Sequence, residues 1–278
     1  MKHLSTRRRH PLAGFVVVVL GLVMMGALYS AFRPATADES TTGTELVSQG
    51  RGLFIASCAS CHGLNAEGVN SKNDTNFGPP LIGVGAAAVD FQVSTGRMPA
   101  ARPGTQIDAR TPVFTAEEVR ALSAYVASLG PGPAIPSADD YSTEGLTAEQ
   151  IAEGGQFFRT NCTACHNYAG SGGTLLHGRY APPLLDVDPK YVVEAMITGP
   201  QAMPIFSDKV LSPEEKRQII AYLQSLKEQP AYGGAKLGSL GPITEGLWGW
   251  GVGIGGLVLA TVWISNNGAR AKKKKTST

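Results

Sequence analysis

The chain has 278 residues, 43% of them hydrophobic, which is ordinary for a globular protein and long enough for two domains of ~100–200 residues each. It contains 34 glycines and 18 prolines but only 7% aromatic residues, so we expect a loop-rich fold. The formal net charge of +2 conceals a segregation, because all 22 acidic residues lie between two basic ends. Nucleic-acid binding is disfavoured, since the basic ends adjoin apolar runs and the middle of the chain is acidic.

A basic N-terminus at residues 1–10 precedes an uncharged apolar run at residues 11–32. Such a run is long enough to cross a bilayer core of ~30 Å as a helix. The alternative is a cleaved secretory signal, because Ala35-Thr36-Ala37 resembles a signal-peptidase site. The run exceeds the ~7–15 residues typical of the apolar part of a signal, which favours a retained transmembrane helix. Both interpretations export the residues that follow.

The exported part of the chain contains one pattern written twice. Each copy has, in the same order, a glycine and an aromatic residue, a Cys-x-x-Cys-His motif, a Pro-Pro pair, a Met-Pro pair and an amphipathic segment. The first copy places these features at Gly50, Phe54, Cys58 to His62, Pro79-Pro80, Met98-Pro99 and residues 115–129. The second copy places them at Gly154, Phe158, Cys162 to His166, Pro182-Pro183, Met203-Pro204 and residues 212–226.

The amphipathic segment that closes each copy begins with helix-capping signals. Thr115 and Ser212 are residue types that favour the N-cap position, and each has a glutamate three residues later, as in a capping box. Pro213 suits the first helical position. Apolar residues then recur at helical spacing, and no stretch in either copy alternates as a convincing strand. We therefore expect two all-α domains, at residues 44–130 and 147–228, joined by a linker at 131–146.

The second apolar run, at residues 247–265, follows a linker at 229–246 and is flanked by tryptophans typical of a membrane interface. Its glycines recur at four-residue spacing, which favours close packing against another helix in lipid. The Lys-rich tail at residues 266–278 is basic, like the N-terminus. Because basic flanks remain inside, we expect both termini in the cytoplasm and both domains outside it.

All four cysteines lie in the two Cys-x-x-Cys-His motifs. Disulfides, a thioredoxin-like pair or half a zinc site would each use two cysteines, but none explains the histidine that follows directly in both copies. Covalent haem does explain it, because two thiols add to the vinyl groups and the next residue binds the iron. We therefore predict two covalent haems c, attached at Cys58 with Cys61 and at Cys162 with Cys165, with His62 and His166 as iron ligands.

The ligand on the other side of each iron decides whether the haem serves an electron carrier or a ligand-binding enzyme. Met98 and Met203 are the predicted sixth ligands, because they occupy equivalent places in the two copies. Met196 has no counterpart and follows a helical apolar pattern, so it is interpreted as a core residue. His177 is the alternative ligand for the second haem. Arg97 is either a partner for a haem propionate or a solvated arginine.

The two copies resemble class I cytochrome c domains. In that family a glycine and an aromatic residue of the first helix cross an aromatic residue of the last, here Gly50, Phe54 and Tyr125, and Gly154, Phe158 and Tyr222. The resemblance also implies that a proline carbonyl accepts the hydrogen bond of the iron-ligating histidine and fixes its tautomer. The residues that match this role are Pro80 and Pro183.

The whole arrangement is similar to the dihaem cytochrome c subunit of actinobacterial menaquinol–cytochrome c reductases. This resemblance implies an all-α fold of two tandem class I cytochrome c domains with N-terminal and C-terminal transmembrane helices. It also implies three partners: cytochrome b, a Rieske iron–sulfur protein that supplies electrons, and a haem–copper oxidase that receives them. The alternatives are a dihaem subunit of another oxidase or of a dehydrogenase, and a dihaem peroxidase with one exchangeable iron position.

Overall fold

The computed structural model describes residues 11–32, 43–70, 76–104, 106–228 and 242–275. The basic N-terminus, the signal-peptidase-like residues 35–37 and residues 229–241 of the second linker lie outside this description. Helix α1 spans Pro11–Phe32 and belongs to a compact unit separate from the rest of the chain. Its apolar residues continue without a charged side chain through the whole helix.

The described residues of the first repeat form four helices and one short strand pair. Its elements are α2 (Gly43–Ser57), α3 (Ala59–His62), β1 (Val69–Asn70), β2 (Asn76–Gly78), α4 (Gly85–Ser94) and α5 (Ala116–Ser128). The second repeat follows the same order after an additional short helix. Its elements are α6 (Ala138–Tyr141), α7 (Ala148–Asn161), α8 (Thr163–His166), β3 (Gly173–Thr174), β4 (Tyr180–Ala181), α9 (Pro189–Thr198) and α10 (Pro213–Glu228).

Helices dominate both repeats, as the sequence predicts, but each repeat also contains a small antiparallel strand pair after its Cys-x-x-Cys-His motif. Val69 pairs with Gly78 in the first repeat, and Gly173 pairs with Ala181 in the second. Strands of two or three residues are too short to display an alternating apolar pattern. The sequence therefore predicts no strands there, and the observed pairs correct that expectation.

The predicted caps of the closing helices are confirmed. The Thr115 hydroxyl accepts a hydrogen bond from the Glu118 amide, and the Glu118 carboxylate accepts one from the Thr115 amide at 2.8 Å. Ser212 and Glu215 form the same reciprocal pair. Helix α10 begins at Pro213, which lacks an amide hydrogen and so leaves no N-terminal donor unsatisfied at that position.

The first and last helices of each repeat cross at a glycine. A Cβ atom on Gly50 would lie 1.9 Å from the Ala121 carbonyl oxygen, so only glycine allows α2 and α5 to approach this closely. Beside the crossing, the rings of Phe54 and Tyr125 lie 5.2 Å apart. In the second repeat the same contacts join Gly154 to the Gln218 carbonyl and Phe158 to Tyr222. Each repeat has its own hydrophobic core, which includes the aromatic residues of its helix crossing.

The linker between the repeats contacts both domains. The amide of Ala87 at the start of α4 donates to the Pro133 carbonyl at 3.1 Å. At the other end, the guanidinium of Arg217 in α10 donates to the Ser142 carbonyl at 2.6 Å. These hydrogen bonds restrict the linker at each end, so the chain does not behave as two domains on a free tether.

Helix α4 of the first repeat packs directly against α9 of the second. The ammonium of Lys190 forms a salt bridge with the buried carboxylate of Asp90, and the rings of Phe91 and Tyr191 lie 6.4 Å apart. The side chain of Glu194 is fully buried beside this pair. Burial, together with the neighbouring carboxylate of Asp90, raises the pKa of Glu194 to about 9, so this carboxyl is neutral at pH 7.

The C-terminal helix comprises α11 (Pro242–Trp248), a π-helical turn (Gly249–Ile254) and α12 (Gly255–Lys275). Thr244–Asn267 is the one stretch, among the residues that the structure describes, that is long and apolar enough to cross a membrane. The predicted span at 247–265 lies within it. The apolar stretch found in α1, Gly14–Gly26, is shorter than such a span.

Candidate haem-binding sites

Both Cys-x-x-Cys-His motifs adopt the same backbone conformation. The first cysteine lies between two helices, and its carbonyl accepts hydrogen bonds from the amides of the second cysteine and of the histidine. For the first motif these distances are 3.1 and 3.0 Å from Cys58, and for the second 3.1 and 2.9 Å from Cys162. This single tight turn brings the two thiols and the imidazole of each motif together in the chain, as attachment to one porphyrin requires.

The histidine of each motif is buried and has one ring nitrogen occupied. His62 Nδ1 lies 2.7 Å from the carbonyl oxygen of Pro79, and His166 Nδ1 lies 2.9 Å from that of Pro182. A carbonyl only accepts, so Nδ1 carries the hydrogen and Nε2 keeps a lone pair for a metal. Burial lowers the pKa of His166, and its hydrogen bond to Pro182 opposes that shift only in part.

The expected hydrogen-bond partners of the histidines, Pro80 and Pro183, are wrong by one residue. The accepting carbonyl belongs to the first proline of each pair, in the peptide bond whose nitrogen is supplied by the second. The reason is the packing of that peptide bond: a Cβ on Gly68 would lie 2.7 Å from Pro80 N, and one on Gly172 would lie 2.9 Å from Pro183 N. Glycine at positive φ therefore lets this tertiary amide approach the motif.

The four cysteines of the two motifs are available for covalent attachment. All four thiols are free of disulfides. Burial, with a smaller contribution from the neighbouring cysteine, raises the pKa of Cys58 and of Cys162 to about 11. In the described part of the chain, no three or more His, Cys, Asp or Glu side chains cluster in a way that could hold a metal ion.

The two predicted sixth ligands lie in equivalent loops at the edge of the two cores. Met98 packs against the first core, and its amide donates to the Gln92 carbonyl at the end of α4. Met203 packs against the second core after the end of α9. Met196 is instead 2% exposed within α9, which agrees with its interpretation as a core residue.

The two other side chains singled out from the sequence have different surroundings. His177 lies at φ 60° in an exposed turn between β3 and β4. The guanidinium of Arg97 lies 4.8 Å from the centre of the Phe91 ring, so it is not the freely solvated arginine of the sequence analysis. Burial lowers the pKa of Arg97, while Tyr180 and Asp108 oppose that shift.

Sequence reasoning missed the residues that join the two repeats. Gln106, Tyr180 and Gln201 make hydrogen bonds between the repeats, and Asp90 and Lys190 form the salt bridge. Long-range partners leave no local pattern. The one available signal was a difference in loop length, because Thr115 follows Met98 by 17 positions whereas Ser212 follows Met203 by 9.

Two Cys-x-x-Cys-His sites on two cytochrome c domains define a dihaem c-type cytochrome. The family model named Cytochrome c matches residues 47–130, and the one named Cytochrome C oxidase, cbb3-type, subunit III matches residues 149–223. The chain therefore carries two covalent haems c, bound through Cys58 and Cys61 and through Cys162 and Cys165.

Several curated proteins are similar to nearly the whole chain. A protein of Corynebacterium efficiens named Cytochrome bc1 complex cytochrome c subunit is 41% identical over 95% of this chain and 93% of its own length. A Mycobacterium tuberculosis protein of the same name is 42% identical with the same coverage. The chain belongs to this family of cytochrome bc1 complex cytochrome c subunits, and it is an electron-transfer protein of a respiratory complex.

A more distant relative shares the cytochrome domains. The Cbb3-type cytochrome c oxidase subunit CcoP of Helicobacter pylori is 25% identical over 66% of this chain and 59% of its own length.

Replacing both cysteines of one motif is expected to halve the haem content. Serine has no thiol to form the thioether bond, so Cys58→Ser with Cys61→Ser should leave one haem per chain instead of two. Haem counting by pyridine haemochrome against protein mass measures this ratio. The reciprocal change at Cys162 and Cys165 is the matched control. Extraction of the pigment from the unmodified protein by acid-acetone would contradict covalent attachment.

Proposed function

We propose that this chain relays electrons within a menaquinol–cytochrome c reductase, from a Rieske iron–sulfur protein through two haems to a haem–copper terminal oxidase. The observation that carries this proposal is the equivalent construction of the two sites, each with a buried histidine whose Nδ1 is occupied by a proline carbonyl. The curated relatives support the type of complex through their names. Cytochrome b is the proposed membrane partner.

The iron ligands are proposed residue by residue. Bound haem supplies reversible one-electron chemistry at its iron. His62 and His166 present Nε2 to the metal, and we propose that Met98 and Met203 bind the opposite side. A thioether there closes the site against exogenous ligands and raises the reduction potential. Both features suit a carrier, so this chain transfers electrons while quinol oxidation belongs to other subunits of the reductase.

The domain limits and membrane topology are also proposed. Residues 44–130 and 147–228 form the two haem domains, on the extracytoplasmic side of the cell membrane. The C-terminal helix holds them to the membrane, and we propose that α1 is a second transmembrane helix. The basic residues next to both helices support cytoplasmic termini, because such residues are retained inside. The chain is then a two-helix membrane protein.

A second candidate is a dihaem subunit of a cbb3-type oxidase. The match of the second repeat to subunit III of such oxidases favours it. The reductase has broader support, because its relatives are similar along 95% of the chain, whereas the oxidase subunit covers 66%. Both candidates use the same haem chemistry and differ in their partner subunits.

Purification of the tagged full chain in mild detergent tests the proposal. We expect b-type and Rieske subunits to copurify, identified by mass spectrometry. A menaquinol analogue should reduce the c-type haems of this complex but not those of the chain separated from its partners, because the chain has no proposed quinol site. Copurification with an oxidase catalytic subunit, in the absence of cytochrome b and a Rieske protein, would favour the second candidate.

A further inference from the structure

The two repeats contact each other at a second place besides the α4–α9 interface. Residues 106–108, in the loop after Met98, lie against Tyr180 and Gln201 of the second repeat. We call this set of five residues the inter-domain clamp. Its hydrogen bonds are reciprocal at both points of contact, which distinguishes it from an incidental surface contact.

Each glutamine of the clamp pairs with a backbone amide and carbonyl of the other repeat. The Gln106 amide donates to the Tyr180 carbonyl at 2.9 Å, and its oxygen accepts from the Tyr180 amide at 2.9 Å. Gln201 pairs in the same way with Ile107, at 2.9 and 3.1 Å. The Tyr180 hydroxyl adds a bond to Asp108 at 2.8 Å. A side-chain amide matches a peptide group in donor and acceptor, so both partners are satisfied.

The two clamp residues of the second repeat lie close in sequence to both sides of the second haem site. Tyr180 lies two residues before Pro182, whose carbonyl accepts the hydrogen bond of His166. Gln201 lies two residues before Met203, the proposed ligand on the opposite side of the iron. The first repeat therefore holds two segments of the second repeat, one just before Pro182 and one just before Met203.

On the first repeat the clamp is connected to the loop of Met98. A Cβ atom on Gly96 would lie 1.8 Å from the Arg110 carbonyl oxygen, so the two ends of this loop are in direct contact. Arg97 packs over Phe91 in α4 at 4.8 Å. The loop is thus attached to the body of the first domain just before the methionine and just after the clamp.

The first repeat has additional residues here that haem binding does not require. The second repeat reaches its closing helix in 9 positions after its methionine, whereas the first uses 17. Since the shorter loop suffices to build an equivalent site, the longer one has another use. The residues it adds include the three that contact the second repeat.

We propose that the inter-domain clamp sets the position of the second haem relative to the first, with Gln106 and Gln201 as its positioning residues. This inference rests on the proposed relay, because transfer between two bound haems depends on their separation and orientation. Neither glutamine touches the iron ligands in this role. They act by restricting the domain that carries His166 and Met203, while the α4–α9 interface holds the domains together.

The test uses the full holoprotein with Gln106→Ala and Gln201→Ala combined, and Gln156→Ala as the control. Gln156 is an exposed glutamine of α7 outside the interface. Pulsed electron paramagnetic resonance on the oxidised protein measures the distribution of haem–haem distances. Hydrogen exchange measures the protection of the Ile107 and Tyr180 amides. Flash photoreduction measures the rate of transfer between the haems.

We expect the double variant to keep two haems with unchanged spectra and unchanged individual potentials. Its distance distribution should broaden, the two amides should lose protection, and transfer between the haems should slow several-fold. Tyr180→Phe, which removes only the hydroxyl contact with Asp108, should give a smaller change in the same direction. The control should match the parent in every measurement.

Two results for the double variant would overturn the proposed role of the clamp. The first is a distance distribution and a transfer rate equal to those of the parent. The second is loss of haem with altered spectra, which would assign the glutamines to the haem site itself. A different result would contradict the proposed electron relay without contradicting the clamp. If the parent shows no transfer between its haems while the double variant still broadens the distances, the relay is wrong and the clamp remains.

Discussion

Replacing Met203 with alanine is expected to change the second haem from low-spin to high-spin and to let carbon monoxide bind it when reduced. Alanine has no sulfur, so the iron would keep only His166 as a protein ligand. Its reduction potential should fall by on the order of 100 mV, since axial ligands tune haem potentials over ~0.8 V. Met98→Ala should have the same effect on the first haem. Visible and magnetic spectra with a redox titration measure each site.

Met196→Leu is the matched control for the methionine variants. Met196 is buried in the second core, and a swap of similar volume costs less than ~1.5 kcal/mol of stability. Both haems should stay low-spin in this variant. If Met203→Ala stays low-spin and only further replacement of His177 makes it high-spin, then His177 is the ligand and our assignment is wrong. Peroxide turnover by the purified parent chain would favour the peroxidase alternative.

Replacing Gly50 with alanine is expected to disrupt the first haem domain. The added methyl group would lie 1.9 Å from the Ala121 carbonyl oxygen, which belongs to the backbone of α5 and cannot rotate away. The two helices must then separate, at a cost of ~3 kcal/mol or more, the upper end of what overpacking costs in a core. Denaturant unfolding followed at the Soret band measures the loss.

Gly52 provides the control in the same helix. Its Cβ would meet no atom within 4 Å, and alanine favours a helix over glycine by about 1 kcal/mol. Gly52→Ala should therefore be neutral or stabilising. Gly154→Ala should reproduce the loss in the second domain, where the added methyl would lie 2.0 Å from the Gln218 carbonyl. Equal stability of Gly50→Ala and Gly52→Ala would contradict the close crossing of these helices.

Local features of the fold were predictable because each depends on neighbours in the sequence. The capping boxes at Thr115 and Ser212 need a partner only three residues away, and both are confirmed. The crossing glycines were found through the repeat and the resemblance to cytochrome c. The two thiols that attach the haem and the histidine that binds its iron all lie within the five residues of the Cys-x-x-Cys-His motif.

Features that depend on packing were predicted less well. The hydrogen bond of His62 goes to Pro79 and not to Pro80, because the orientation of that peptide bond depends on the approach of Gly68. The contact between Lys190 and Asp90 joins residues 100 positions apart, and no periodicity relates them. The ligation of iron by Met98 and Met203 stays a prediction.

The burial of the salt bridge between Lys190 and Asp90 determines how strongly dissolved salt weakens it. The side chain of Asp90 is 7% exposed and that of Lys190 is 27% exposed, so mobile ions have little access to the pair. Dissolved ions shorten the range of attraction between exposed charges to ~8 Å at physiological ionic strength, but they act weakly on sheltered ones. Concentrated salt that dissociates a charged partner from the protein surface therefore leaves the Lys190–Asp90 salt bridge intact. The two haem domains keep this contact with each other.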